Sequence, residues 1–210
     1  MEQIPQAERG NTTAILAAFV AATCCIGLAL QLVLIVGKLG LALGLWRYLG
    51  YFTILTNFGA GAVATAIAIG HPEALAAPRA RLMAATSMAL VGITYSVALR
   101  ALWHPTGLQK LADMALHDAA PMLFVVLWAA APHPGLKWRE IGWALLPPAL
   151  YAAYALARGA IDGWYAYWFL NPAEQGLLQL LASVTLMLAG FALAATLLVA
   201  IDRRVGRIGR

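Results

Sequence analysis

The chain reads as an all-α integral membrane protein with six transmembrane helices around an outward-facing polar chamber, and three observations carry that reading. Of its 210 residues, 62% are hydrophobic and only 11% charged, with a mean hydropathy of +0.78. Such a chain lacks the polar surface that an aqueous exterior needs, which excludes an ordinary soluble domain. The apolar residues fall into six runs, at about 13–37, 48–70, 82–103, 111–131, 140–157 and 177–201. Each approaches the ~20 residues a helix needs to cross the hydrocarbon. Third, the polar residues within the runs gather at one depth. No repeat, low-complexity stretch or long linker interrupts the pattern, so residues 1–210 are expected to form one six-span domain.

The elements follow in order. The segment MEQIPQAERGNTT is polar, and the apolar run after it is too long for a typical signal peptide, so it is expected to stay as span 1. Cys24 and Cys25 are adjacent within that span, which suits neither a structural disulfide nor a metal site, and they read as packing residues. Gly37, Gly40 and Gly44 mark the turn into span 2. Span 2 then carries Gly59, Gly61, Ala62, Ala64 and Ala66, small residues that let a neighbouring helix approach closely. Span 5 is interrupted by Pro147 and Pro148 and is expected to bend there.

An even number of spans places both termini on one side. Arg9, Arg79, Arg81, Lys137, Arg139, Arg203, Arg204, Arg207 and Arg210 lie on that side, and Lys38, Arg47, Arg100, Lys110 and Arg158 on the other. Nine basic residues against five assign the termini to the cytoplasm. The net charge of +5 lies in loops and in the C-terminal tail, which suits anionic lipid head groups and not nucleic acid.

With that topology, Gln31, Thr53, Thr56, Asn57, Thr94, Tyr95, Ser96, Arg100, Asp113, His117, Asp118, Tyr151, Tyr154, Gln179 and Ser183 all fall in the outer part of the bundle, as do all seven tyrosines. An aromatic belt would place tyrosines at both interfaces and leaves the deeper Asn57 and His117 unexplained. A shared chamber open to the outside accounts for them. The alternative is a set of separate hydrogen bonds between helices.

His117 is the most informative residue. It lies in LADMALHDAAPMLFVVLWAAA, with Asp113 one turn before it, Asp118 beside it and Pro121 one turn after it. Ionisable groups within a span are costly and usually face a protein interior or a water-filled cavity. Pro121 cannot donate to the carbonyl of His117, so the helix is opened at that residue. A structural kink with a packed polar side chain is the plainer alternative. The other histidines, His71, His104 and His133, sit in Pro-adjacent loops. One buried histidine without further ligands does not make a zinc site, so no metal and no cofactor is expected. His117 suits proton transfer, with its ring held by Asp113 or Asp118.

Span 2 opens as YLGYFTILTNFG. Thr53 and Asn57 share a helix face, with Thr56 close to the same stripe. A threonine hydroxyl beside a histidine is the minimum for a nucleophile and its base, and Asn57 or Tyr95 can donate to a developing oxyanion. Against this, threonine in a membrane helix commonly bonds its own backbone, and asparagine bonds a neighbouring helix. The connection RGAIDGWYAYWFLNPAEQG is rich in aromatics. Trp164, Tyr165, Tyr167, Trp168 and Phe169 read as an interfacial anchor, or as a lid that Arg158 and Asp162 brace by a salt bridge.

Four stretches together, YFTILTN, GITYSVALRALWHP, LADMALHDAAP and ARGAIDGWYAYWFLNP, resemble the bacterial Pr6Pr six-span membrane proteins. Those are in turn similar to the eukaryotic androgen-induced and androgen-dependent TFPI-regulating (FAR-17a-like) proteins. The resemblance covers nearly everything from span 2 to the start of span 6. The eukaryotic relatives hydrolyse fatty acid esters of hydroxy fatty acids with a threonine nucleophile and a histidine. Thr53 matches that threonine and His117 that histidine. The residues after the threonine differ, which leaves Thr56 as a rival.

The resemblance implies a lipid-ester hydrolase of the bacterial inner membrane. The charge balance turns its site toward the periplasm, and Arg158, Trp164 and Tyr165 are expected among the oxyanion or substrate-binding residues. Membrane lipids and a lipid ester are the expected partners. The alternative is a non-enzymatic small-molecule or proton-coupled carrier that uses His117 and Asp113 as a relay.

Overall fold

Six helices are long and apolar enough to cross a membrane: Gly10–Leu39, Phe52–Ile69, Pro78–Leu99, Gly107–Ala130, Trp138–Asp162 and Pro172–Arg207. The structure is a computed structural model and describes residues 6–208; Arg210, counted in the charge balance above, lies outside them, as does the side chain of Arg9. In chain order the helices are α1 (Gln6–Leu39), α2 (Leu41–Tyr48), α3 (Phe52–Ile69), α4 (Glu73–Ala76), α5 (Pro78–Thr94), α6 (Gly107–Met114), α7 (Ala120–Ala130), α8 (Ile141–Asp162) and α9 (Pro172–Ile208). A π turn, Tyr95–Leu99, prolongs α5, and a second, Ala115–Ala119, joins α6 to α7. No strand occurs among the described residues.

The turn after span 1 is made at Gly40 alone, whose φ of 78° is open to glycine and strained for other residues. Gly37 stays within α1, and Gly44 serves packing. A Cβ at Gly44 would lie 2.8 Å from Val36 Cα, so the short α2 folds back hard against the end of α1. The helix of span 2 therefore starts at Phe52, after three turn residues, and not near 48.

α3 packs along α1, and α5 packs against α3, α7, α8 and α9. Ala17, Val20 and Cys24 of α1 meet Ala60 and Ala64 of α3 in a fully buried seam. Cys24 is thus a core residue, whereas Cys25 is exposed. The small residues of α3 divide in the same way. A Cβ at Gly61 would stand 3.3 Å from Cys24 Cβ, but one at Gly59 would meet nothing within 4 Å. The outer surface is apolar, with Val97 81% and Leu178 85% exposed, as expected of helices solvated by hydrocarbon. α8 runs as one helix through Pro147 and Pro148.

Where α1 begins and α9 ends, the buried Asp202 fixes the connection between α7 and α8. Its carboxylate accepts the Leu136 amide at 2.5 Å and lies 2.9 Å from His133 Nδ1, while Arg203 donates to the Leu136 carbonyl at 3.1 Å. At the opposite end α1 meets the π turn of α6 and α7 closely. A Cβ at Gly27 would lie 2.8 Å from Leu116 Cδ2.

The prediction follows from these approaches. Gly27→Val and Gly92→Val are expected to lose about 1–3 kcal/mol through overpacking, read as a lower midpoint of thermal unfolding in detergent. Gly142→Val, where an added Cβ meets nothing within 4 Å, is expected to unfold near the parent midpoint.

Candidate functional site

Pro121 shapes the site. Without an N–H it cannot close the helix onto the His117 carbonyl, and Ala115–Ala119 widen into a π turn in which the Ala120 amide reaches back to the Ala115 carbonyl. α5 ends in the same way, with the Arg100 amide on the Tyr95 carbonyl at 2.7 Å. Single π turns of this kind are frequent at functional sites. Gly92 lets the two meet: a Cβ there would stand 3.3 Å from Pro121 Cβ and 3.5 Å from the His117 carbonyl oxygen. The Tyr95 ring consequently stacks on the His117 imidazole, centroids 4.1 Å apart and planes at 23°.

Asp113, almost wholly buried, links the two rings. One carboxylate oxygen accepts the Tyr95 hydroxyl, and the other lies 3.2 Å from His117 Nδ1. The Asp113 carbonyl is 3.1 Å from the same nitrogen. Both neighbours of Nδ1 are acceptors, so Nδ1 carries the hydrogen and Nε2 presents its lone pair. Asp118 pairs with Arg100 instead, so of the two carboxylates it is Asp113 that orients the imidazole. Tyr95, having given its hydrogen to Asp113, is a positioning residue and not the expected oxyanion donor.

Thr53 is the second residue of α3. Helical hydrogen bonding begins only with the Ile54 and Leu55 amides on the Tyr51 carbonyl, so the amides of Phe52 and Thr53 precede it. The N-cap residue Tyr51 supplies no side-chain bond. The Tyr167 phenol approaches both amides, and the Tyr151 phenol approaches that of Phe52. Tyr167 comes from the connection between α8 and α9. Burial pushes its phenol up from the ordinary value, while the Thr53 hydroxyl and these amides pull weakly the other way.

Four other threonines show what Thr53 does not do. The hydroxyls of Thr23, Thr56, Thr65 and Thr196 each donate to the carbonyl four residues back, at 2.7–2.9 Å. The equivalent carbonyl for Thr53 is that of Leu49, before the helix, and it accepts the Tyr154 hydroxyl at 3.1 Å. The Thr53 hydroxyl is left facing Tyr167 and the cavity.

That cavity measures about 300 Å³ and is lined by Thr53, Tyr95, Asp113, His117 and Tyr167 together with Gln31 and Gln109, which bond each other at 2.7 Å. A narrower space of about 60 Å³ shares Thr53, Tyr95, His117 and Tyr167 and continues among Phe52, Leu90, Met187 and Phe191. Thr56 lines neither. It faces a separate groove between α3 and α8. Asn57 is also turned away. Its amide donates to the Thr53 carbonyl at 2.8 Å and the Leu116 carbonyl at 3.2 Å, tying α3 to the π turn, so it is not placed as an oxyanion donor.

The expected brace between Arg158 and Asp162 is replaced by another arrangement. Asp162 accepts Arg47 at 2.9 Å and Trp46 Nε1 at 2.8 Å. Arg158 donates to the Tyr154 hydroxyl at 2.6 Å and to the Trp46 carbonyl, and stacks 3.8 Å above the Trp46 ring. Trp164 packs on Gly50, and Tyr165 on Gly159. None of Arg158, Trp164 and Tyr165 lines either cavity; from the connection after α8, Ala166, Tyr167 and Phe169 do. Tyr167, Phe169 and Gln109 are not among the expected site residues. A run of five aromatics carries no local mark of which rings turn inward. Among the described residues no group of three or more His, Cys, Asp and Glu side chains converges as a metal site would require.

No protein-family model matches the chain, and neither a curated protein nor a solved structure was found that matches it.

The two carboxylates are separable by experiment. Asparagine at 113 offers an N–H to Nδ1, so Asp113→Asn is expected to shift His117 to the opposite tautomer in ¹⁵N spectra of histidine-labelled protein. Asp118→Asn should leave its ring-nitrogen shifts in place.

Proposed function

We propose that this chain is an intramembrane hydrolase of lipid esters, with Thr53 as nucleophile, His117 as general base and then acid, and Asp113 holding the imidazole. The carrying observation is the pairing within one cavity of a threonine hydroxyl not committed to its own helix with an imidazole whose Nδ1 is anchored and whose Nε2 is open. This is the constellation of an activated nucleophile: nucleophile, base and a third group that orients the base. The likeness of YFTILTN and LADMALHDAAP to the Pr6Pr proteins agrees with the same two residues.

Thr53 Oγ attacks the ester carbonyl carbon while His117 Nε2 takes its proton. The negative charge that develops on the carbonyl oxygen meets the Phe52 and Thr53 amides and the Tyr167 hydroxyl, which its raised pKa keeps protonated at neutral pH. Collapse breaks the bond to the alcohol oxygen, which receives the proton from His117, and leaves an acyl-threonine. Water then attacks the same carbonyl, again with His117 as base. The acid departs, and Thr53 recovers its hydrogen.

A carrier needs a path to the other face of the membrane. Below the site the bundle is filled by Ala60, Val63, Met88 and Phe124, which favours a one-sided chamber and the hydrolase. The balance of basic residues favours cytoplasmic termini and a site toward the opposite face, and the likeness to the Pr6Pr proteins supports a bacterial inner membrane with that face toward the periplasm. Ester lipids already lie at that depth.

Labelling by a fluorophosphonate tests the nucleophile. Thr53→Ala is expected to abolish both the covalent adduct and ester hydrolysis, and Thr53→Ser to keep part of each. Thr56→Ala should be mild, because that hydroxyl is held by the Phe52 carbonyl and its residue borders the other groove. An adduct that survives Thr53→Ala and disappears in Thr56→Ala would move the nucleophile one turn down the helix.

His117→Gln should lower turnover by about 10²–10⁴-fold while the protein extracts and unfolds as the parent does. Full activity in that variant would remove His117 from the mechanism.

A further inference from the structure

α3 and α8 each pack along α5, and between them lies a groove of about 600 Å³. Along α3 it is bordered by residues from Phe52 to Val63, a span of about 16 Å of helix. Its walls are apolar and its α3 and α5 sides are made of small residues, Gly59, Ala60, Ala80 and Ala84 among them. Beyond the α-carbon of Gly59 nothing lies within 4 Å of where a Cβ would stand. Thr56 borders the groove, but its hydroxyl is turned onto the Phe52 carbonyl. Ser87, also buried, borders it as well.

Apart from the buried Ser87 hydroxyl, the polar groups of the groove gather at one end. There Tyr154 carries its hydroxyl between Arg158 and the Leu49 carbonyl. At the same end the Phe52 and Tyr151 rings, centroids 5.0 Å apart, border both this groove and the narrow space that holds Thr53 and His117. Two side chains thus separate a hydrocarbon-lined channel from the reacting pair. On the other side of Thr53 the larger cavity presents Gln31, Gln109 and Asp113, groups whose remaining hydrogen-bonding capacity hydrocarbon would leave unmet at a cost.

We propose that the groove between α3 and α8 holds the long acyl chain of the ester, entering sideways from the bilayer, with the Phe52 and Tyr151 rings as its doorway to Thr53. The inference rests on the hydrolase reading and adds a route and a specificity to it: chain in the groove, alcohol part toward Gln31 and Gln109. The occupant follows from two features. The groove lies within the segments that span the membrane, where acyl chains are the surrounding solvent, and it shares Phe52 and Tyr151 with the space that holds the catalytic pair.

A chain-terminal diazirine on a palmitoyl ester, added to Thr53→Ala protein in detergent, gives the direct test. Crosslinks are expected on Leu75, Ala80 or Met83 at the far end of the groove. Crosslinks confined to Leu90 and Met187 would put the chain between α5 and α9 and overturn the proposal. In parallel, kcat/KM is measured for p-nitrophenyl palmitate and p-nitrophenyl acetate. Gly59→Phe fills the groove and should lower the palmitate-to-acetate ratio at least tenfold, mainly through a higher KM for palmitate, and Gly59→Ala should keep the ratio near the parent value. An unchanged ratio in Gly59→Phe would overturn the proposal while leaving the hydrolase standing. Failure of the parent protein to hydrolyse either ester would remove the hydrolase instead, and the crosslinks would still decide what the groove holds.

Discussion

The constraint on which the site depends is that backbone polar groups within a bilayer must find partners inside the protein. Around the site, where this chain interrupts its helical hydrogen bonding, the backbone is met by a widened turn or by side chains. Pro121 removes one amide, and the helix answers with a π turn that carries His117. α3 begins inside the bundle with amides that its own helix cannot satisfy, and two phenols from α8 and the connection after it come to them. The carbonyls of Leu49 and Gly50, just before α3, take the hydroxyls of Tyr154 and Tyr151. The tyrosines concentrated at one end are therefore hydrogen-bonding partners of an irregular backbone as much as an interfacial belt. The Tyr48 phenol fits this account. It donates to the Leu28 carbonyl at 2.9 Å, and burial raises its pKa to about 12.

The same irregularity gives the site its electrostatic character. Asp113 is buried with the Tyr95 hydroxyl on one oxygen and His117 near the other. A buried carboxylate is costly unless its lone pairs are occupied, and the stacked pair of rings occupies them. Arg100 and Asp118 form a second pair at the more exposed edge, with Arg100 4.8 Å over the Tyr95 ring. The two pairs keep the acids from competing for one imidazole. Under the proposed hydrolase reading, the anchored imidazole and the amides at the start of α3 would favour the anionic tetrahedral intermediate over the neutral ester.

Much of this was legible in the sequence, and the limits were physical. Six apolar runs give six helices because length and hydropathy are summed over ~20 residues and survive local exceptions. His117, Asp113 and Pro121 were legible for a similar reason: their spacing of four acts along a single helix, where one turn fixes who meets whom. What the sequence left open lay between helices. Whether Asp113 or Asp118 holds the imidazole depends on where Arg100 arrives from α5. Asn57 shares a face with Thr53 and so looked available to a ligand, yet its amide is taken up by the Leu116 carbonyl of another span. Arg158 and Asp162, four apart on α8, looked like a pair of the helical kind, but Arg47 and Trp46 of α2 intervene. No pattern within α8 announces that competition.

Position within the helix, more than residue type, sets Thr53 apart from Thr23, Thr56, Thr65 and Thr196, whose hydroxyls bond their own helices; the Thr86 hydroxyl also lacks such a bond, but it is fully buried and lines neither cavity. A β-branched side chain has few χ1 choices in a helix, and a threonine can settle its hydroxyl on a carbonyl one turn back. Thr56, three residues further on, does this with the Phe52 carbonyl at 2.9 Å. For Thr53 the corresponding carbonyl belongs to Leu49, which lies outside the helix and is held by Tyr154. The hydroxyl is consequently kept out of the backbone and restricted in rotamer, two conditions that serve a nucleophile. A serine at the same place would keep the first and lose part of the second. The start of α3 thus supplies three things at once: a hydroxyl with no helical partner, a stiff side chain to aim it, and two amides beside it where charge would develop.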